Sequence, residues 1–108
     1  MTAVLRLCRT CEGPGWDALR AEIAAAGLEV RIAAQDCMNG CGAPVSMALQ
    51  APGRATYFFA GVDPEADRAD IIGTLRAYLD APGGWIEDAR PCGRLRHCLK
   101  GRVPALPE

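Results

Sequence analysis

The amino-acid sequence predicts a small α/β fold in which helices pack against a mixed sheet. Three observations carry this prediction: four short segments have strand-like patterns, two have apolar residues at helical spacing, and the six follow in the order β-α-β-β-β-α. The chain has 108 residues, which is enough for one domain and too few for two. Half of the residues are apolar, so the domain can bury a compact core.

A β-α-β unit is predicted at the start of the chain. Residues 3–7 alternate weakly between apolar and polar side chains and predict the first strand. A helix begins near Trp16 and stops at Gly27, and its apolar residues recur at helical spacing: Trp16, Leu19, Ile23 and Ala26. Residues 28–32 alternate again and predict the second strand.

A hairpin and a second helix follow. Residues 45–50 and 55–60 predict two strands joined by a turn. Asp63 and Pro64 are typical of a helix start, with the aspartate as N-cap and the proline in the first helical position. The apolar face of this helix carries Ala69, Ile72, Leu75 and Leu79.

This order of elements is the minimal order of a thioredoxin-like fold with a mixed four-stranded sheet. We therefore divide the chain into a thioredoxin-like domain, residues 1–84, and an irregular C-terminal tail, residues 85–108. The tail is rich in proline and contains five of the twelve basic residues: Arg90, Arg94, Arg96, Lys100 and Arg102. Two interpretations are open, a docking surface for an acidic partner and a segment that packs across the domain.

Two cysteine pairs follow the two strands of the β-α-β unit. In a right-handed unit, the parallel strands end at the same edge of the sheet. Cys8 and Cys11 follow the first strand and Cys37 and Cys41 follow the second, so we expect four thiolates to converge there. Four thiolates suit a soft metal centre, either an iron–sulfur cluster or a tetrahedral zinc ion.

The residues around these cysteines favour the cluster. Glycines beside both pairs allow backbone N–H groups to approach inorganic sulfides closely, and they are Gly13, Gly15, Gly40 and Gly42. The first helix also directs its positive end towards the cysteine loops, which suits a negatively charged centre.

Composition limits the compartment and the partners. Residues 1–7 lack the pattern of a signal peptide and no apolar run reaches the length of a membrane span, so we expect a cytoplasmic protein without membrane contact. The net charge of −1 and the lack of interleaved aromatic and basic residues argue against nucleic acid. In a reducing compartment, six cysteines favour metal ligation or redox chemistry over disulfides.

Residues 37–44, Cys-Met-Asn-Gly-Cys-Gly-Ala-Pro, resemble the second cysteine motif of the thioredoxin-like [2Fe–2S] ferredoxins and of a related subunit of respiratory complex I. The resemblance extends over the order of elements in residues 3–80. It implies a [2Fe–2S] cluster whose ligands are Cys8, Cys11, Cys37 and Cys41. It also implies a one-electron carrier, not an enzyme, that serves a reductase and an acceptor enzyme and pairs as a homodimer.

The whole chain is similar to a bacterial family, DUF1636, that is described only as predicted metal-binding proteins. The similarity includes the Cys-x-x-Cys start, Trp85 and the Arg90-Pro91 dipeptide. Thioredoxin-like folds further imply a cis peptide bond before Pro44, at the entry to the third strand.

Other functions remain open. The spacing of Cys8 and Cys11 is closer than in the better-known ferredoxins, and it also fits a zinc ion or a [4Fe–4S] cluster. A four-cysteine zinc protein or metallochaperone is therefore one alternative. A thiol–disulfide oxidoreductase that uses Cys8 and Cys11 is another, although it leaves Cys37 and Cys41 unexplained.

Cys92 and Cys98 lie in the tail on either side of His97, the single histidine. These three residues predict either a second metal site or two thiols without a ligand role.

Overall fold

The computed structural model describes residues 3–8, 14–35, 46–63 and 65–104. Within these ranges a five-stranded sheet with the strand order β2-β1-β3-β4-β5 carries two α-helices. The elements are β1 Ala3–Cys8, α1 Pro14–Ala25, β2 Val30–Gln35, β3 Met47–Gln50, β4 Thr56–Phe59, α2 Arg68–Asp80 and β5 Leu99–Val103. Strands β1 and β2 are parallel, and β3, β4 and β5 each run antiparallel to the strand before them in the sheet. The predicted α/β class and the thioredoxin-like order of the first four strands are confirmed.

Alternation and helical spacing produce these elements as predicted. In β1, Ala3, Leu5 and Leu7 point into the core, and in α1 every apolar residue on the inner face from Trp16 to Ile23 is buried. Strand β3 lies between β1 and β4, and its Met47, Ala48 and Leu49 are all buried. The core therefore lies between the sheet and the helices. No helix among the described residues is long and apolar enough to cross a membrane.

The predicted four-stranded sheet is wrong in one respect, because the tail adds β5. Backbone hydrogen bonds hold β5 against β4, with an irregular register at Phe58 and Phe59. Its side chains are largely exposed, and Val103 exposes 61 % of its surface. An edge strand that buries little has no strong alternation of apolar residues, and the sequence therefore predicted an irregular tail here.

Helix α2 begins four residues later than the sequence predicted, at Arg68 and not at Pro64. Asp63 does accept backbone hydrogen bonds from Glu65 and Ala66, at 2.9 and 3.1 Å, but it caps a turn that precedes the helix. Asp67 is the N-cap of α2 itself. The predicted apolar face is also incomplete: Ala69 is exposed, whereas the buried residues of α2 are Ile71, Ile72, Thr74, Leu75 and Tyr78.

The C-terminal segment, which we define as residues 85–104, covers the additional face of α2. An irregular 3-10 helix, Arg90–His97, packs along α2 and buries Cys92 and Leu95. Gly73 of α2 lies directly beneath the backbone of this segment, since a Cβ atom on Gly73 would stand 2.2 Å from the carbonyl oxygen of Pro91. The C-terminal segment therefore explains why α2 buries a wider face than the single apolar stripe that the sequence predicted.

Arg94 anchors the C-terminal segment to the start of α2. Its Nε donates to Oδ1 of Asp67 at 2.8 Å, its Nη2 donates to Oδ2 of the same carboxylate, and Nη2 also donates to the carbonyl oxygen of Gly61 at 2.9 Å. Asp67 is only 6 % exposed and accepts a further hydrogen bond from the backbone N–H of Asp63. The hydrogen bond from Arg94 lowers the pKa of Asp67 despite its burial.

This anchor predicts an acid-sensitive contribution to stability. Because the pKa of Asp67 is lower in the folded chain than in the unfolded chain, its contribution is complete above about pH 4 and is lost as the pH falls further. Asp67→Asn is expected to cost about 1–3 kcal/mol of unfolding free energy at neutral pH. Asp67→Asn should also reduce the loss of unfolding free energy below pH 4, as measured by urea unfolding at a series of pH values. Asp17→Asn is the matched control, because Asp17 forms only an exposed pair with Arg20; equal pH profiles for the two variants would contradict the prediction.

Candidate metal centre

The candidate metal centre is the edge of the sheet where β1 and β2 end together. Cys8, the last residue of β1, stands in register with Gln35, the last residue of β2. The two strands are parallel, and neighbouring strands in a sheet lie about 4.8 Å apart. The loops that carry the two cysteine pairs therefore leave the sheet side by side, as the β-α-β topology predicted.

Two further elements begin at the same edge. Strand β3 starts at Met47, which pairs with Leu7 of β1. The chain, which leaves the sheet at the end of β2, therefore re-enters it beside the end of β1. Helix α1 starts at Pro14, six residues after the end of β1. The ends of β1 and β2 and the start of β3 thus lie together at this edge, and α1 is the next described element after β1.

The predicted ligands fall at the limits of this description. The backbone of Cys8 belongs to β1, whereas Cys11, Cys37 and Cys41 lie outside the described residues, as does the Ala43–Pro44 peptide bond. The structure brings together the ends of the two strands that precede the cysteine pairs. The four thiolate ligands stay a prediction.

Trp16, in the first turn of α1, is a polar group at this edge that sequence analysis interpreted only as a core residue. Its side chain is 1 % exposed. The indole Nε1 is buried and has no hydrogen-bond partner in the described part of the chain. The guanidinium carbon of Arg20 lies 5.8 Å from the centre of the indole ring, above its face. The signal available from the sequence was the N–H donor of a tryptophan five residues after Cys11.

The second group of candidate ligands does not form a metal site. Cys92 and Cys98 are both buried with free thiols, whereas His97 is exposed. Cys98 Sγ lies 3.7 Å from the carbonyl oxygen of Arg94 and 3.9 Å from that of Gly61. No group of three or more potential metal ligands occurs among the described residues. Cys92 and Cys98 are therefore residues that the C-terminal segment contributes to the core.

The basic residues of the tail are largely engaged within the domain. Arg90 pairs with the exposed Asp88 at 2.8 Å, Arg94 is bound to Asp67, and the guanidinium of Arg102 lies 3.7 Å from the centre of the Trp85 ring. In the tail, Arg96 and Lys100 are exposed and form no salt bridge with the described residues. Arg102 forms none either, but its guanidinium also donates to the carbonyl oxygen of Ile86 at 3.2 Å. The tail therefore packs across the domain, and its role as a docking surface stays a prediction.

Comparison with known protein families gives one result. A family model described as "Protein of unknown function (DUF1636)" matches residues 16–105, which is most of the chain. The chain belongs to the DUF1636 family. The matched span of this DUF1636 protein contains Cys37, Cys41, Cys92 and Cys98 and begins after Cys8 and Cys11. Neither the curated proteins nor the solved structures yielded a match.

Proposed function

We propose that this DUF1636 protein is a small cytoplasmic [2Fe–2S] ferredoxin that carries single electrons and transforms no substrate itself. The observation that carries the proposal is the register of Cys8 with Gln35, which brings the two cysteine loops out of the sheet at one edge. The proposed ligands are Cys8, Cys11, Cys37 and Cys41.

Chain length supports a common site for three of the four proposed ligands, Cys8, Cys11 and Cys37. Cys37 follows Gln35 by two residues, and Cys11 lies three residues from Cys8 and three from Pro14. Because a residue spans at most about 3.3–3.6 Å of extended chain, Cys37 can be at most about 7 Å from the end of β2 and Cys11 about 11 Å from the end of β1. Both distances are within reach of one small cluster at this edge.

The groups at this edge fit a negatively charged sulfur centre. A helix N-terminus presents unpaired backbone N–H groups and a partial positive charge, and α1 starts here. The buried N–H of Trp16 adds a donor without a partner among the described residues. When bound, the cluster would accept and release one electron, and the chain would set its potential through thiolate ligation, hydrogen bonds and burial.

The start of α1 also distinguishes this proposal from a thiol–disulfide oxidoreductase. A thiol activated by a helix lies at the helix N-terminus, where the dipole lowers its pKa. Here Cys8 ends β1 and the described helix begins only at Pro14, so the first thiol precedes the helix by six residues. This separation favours a ligand role for Cys8 over that of an attacking thiolate.

A four-cysteine zinc protein is the second candidate function, and the close spacing of Cys8 and Cys11 favours it. The same sheet edge would hold either centre, since both need four thiolates. Zinc is colourless and redox-inactive, whereas an iron–sulfur protein is red-brown, so the two functions are separable by composition.

Metal and sulfide analysis tests the proposal directly. Protein purified without oxygen is expected to contain about two iron and two acid-labile sulfide per chain, with a red-brown colour that bleaches on reduction by one electron. Stoichiometric zinc without sulfide in the same material would overturn the ferredoxin and support the zinc protein.

The partners we propose are a reductase and an acceptor enzyme, with pairing of two copies as a homodimer. All five basic residues of the tail are exposed. We propose a small docking patch for an acidic partner at Arg96 and Lys100, because neither forms a salt bridge with a described residue or stacks on an aromatic ring there. Arg94 no longer belongs to such a surface, because it serves the anchor at Asp67.

A further inference from the structure

Strand β5 is one edge of the sheet and carries apolar surface that the fold does not bury. It pairs with β4 on one side, and no further strand pairs with its other side within the described ranges. An edge strand presents backbone N–H and C=O groups to any extended chain that approaches it. The two large apolar side chains that the described residues leave exposed, Leu99 and Val103, both belong to β5. The backbone and the side chains of β5 are therefore both available to a further strand.

A small cavity lies between β5, β4 and the 3-10 helix. Its volume is about 80 Å³, and its lining includes the buried Tyr57 and Phe59 and three exposed residues, Arg96, Leu99 and Arg102. The cavity therefore borders solvent beside β5. A cavity that holds benzene measures about 150 Å³, so this one has room for a single short side chain. Neither arginine forms a salt bridge with a described residue, so two cationic groups without a carboxylate line this space.

Charge determines which strand fits β5. Its two charged residues, Lys100 and Arg102, are both basic, and Arg96 beside the cavity adds a third positive charge. Like charges directly opposite each other destabilise a pair of strands, whereas opposite charges stabilise it. A second copy of this chain offers no acidic edge among its described strands, because the charged residue of the other edge strand, β2, is Arg31. The charges of β5 therefore disfavour a second copy and favour an acidic strand of another protein.

We propose that β5 accepts an extended acidic segment of a partner protein as a sixth strand of the sheet. Backbone hydrogen bonds to β5 bind the segment, and the side chain that enters the cavity provides the specificity. A glutamate suits this cavity, because its methylene groups pack on Tyr57 and Phe59 while its carboxylate meets the guanidinium groups of Arg96 and Arg102. This inference rests on the acidic partner of the proposed function and does not depend on the metal centre.

Binding of a synthetic peptide tests the charges. The probe has nine residues in which valine and glutamate alternate, and its binding is followed by the backbone amide signals of ¹⁵N-labelled protein. We expect the signals of β5 to shift on binding. Lys100→Gln should weaken binding about two- to fivefold, as the loss of an exposed charge pair does. Arg31→Gln is the matched control, because it removes an exposed positive charge from the opposite edge of the sheet, and its affinity should equal that of the wild type.

Two N-methylated forms of the peptide distinguish strand addition from attraction between charges. One is methylated at every valine nitrogen and the other at every glutamate nitrogen, so both keep all charges and each loses the N–H donors of one edge. One form should bind as the unmodified peptide does, and the other should bind more than about tenfold more weakly, because several backbone hydrogen bonds are lost. Equal affinities of the two forms, or β5 signals that do not respond to the unmodified peptide, would overturn this inference alone. Protein that binds the peptide as expected but contains no iron or sulfide would overturn the ferredoxin and leave this inference standing.

Discussion

Replacing Gly73 with alanine is expected to lower the free energy of unfolding by about 1–3 kcal/mol, the usual cost of overpacking a core. The same substitution in an open helix position raises stability by about 1 kcal/mol, because alanine is the better helix former. The sign is reversed here because a Cβ on Gly73 would stand 2.2 Å from the carbonyl oxygen of Pro91. A backbone atom cannot move aside as the end of a flexible side chain can, so α2 and the C-terminal segment must separate.

Gly101→Ala is the matched control for this prediction. It makes the same chemical change on β5, where no atom lies within 4 Å of the added Cβ and the backbone is not in the left-handed region. We expect its urea midpoint to stay close to that of the wild type. A more stable Gly73→Ala protein would show that the C-terminal segment does not lie against α2 in solution.

The sequence predicted those parts of the fold that bury one regular face. Alternation in β1 and helical spacing in α1 both reflect a single inner face, and each element formed where its pattern lies. The other features of the fold depend on contacts between segments that are distant in sequence, and a local pattern does not show such contacts. Helix α2 buries a second face only because the C-terminal segment covers it, and β5 forms at an edge through backbone hydrogen bonds while Val103 stays exposed.

The start of α2 illustrates a local competition that the sequence alone did not resolve. Both Asp63 and Asp67 are good N-cap residues. Asp63 caps the preceding turn, and Asp67 is retained at the helix start by its ion pair with Arg94, 27 residues further along the chain. The prediction chose Asp63 because Pro64 follows it, whereas the partner of Asp67 is distant in sequence.

The candidate site, like the fold, was predictable from the sequence only in part. Topology alone predicted that the first two strands end at one edge, and the register of Cys8 with Gln35 confirms it. The chemical identity of the centre depends on four thiolates, and their convergence stays a prediction. The sequence did not show that the indole N–H of Trp16 lacks a partner among the described residues, because a tryptophan at helical spacing looks the same with or without one.

Substituting the second cysteine pair is expected to have the largest effect on the metal centre. Cys37→Ser and Cys41→Ser should each lose most of the iron and sulfide, because one missing thiolate leaves an iron atom with an incomplete set of soft ligands. The double variant should contain almost none. Iron, sulfide and the visible absorption of anaerobically purified protein measure this loss.

Cys92→Ala is the control for the loss of a cysteine as such. Cys92 belongs to the C-terminal segment and is 4 % exposed in the core, so alanine removes a thiol without introducing a buried hydroxyl. The Cys92→Ala variant is expected to unfold at a lower urea concentration than the wild type and to keep its full content of iron and sulfide. Cys37→Ser, in contrast, should lose most of its iron and sulfide. If Cys37→Ser and Cys41→Ser retain the cluster, the second cysteine pair is not part of the ligand set, and the convergence of the two loops at the ends of β1 and β2 has another purpose.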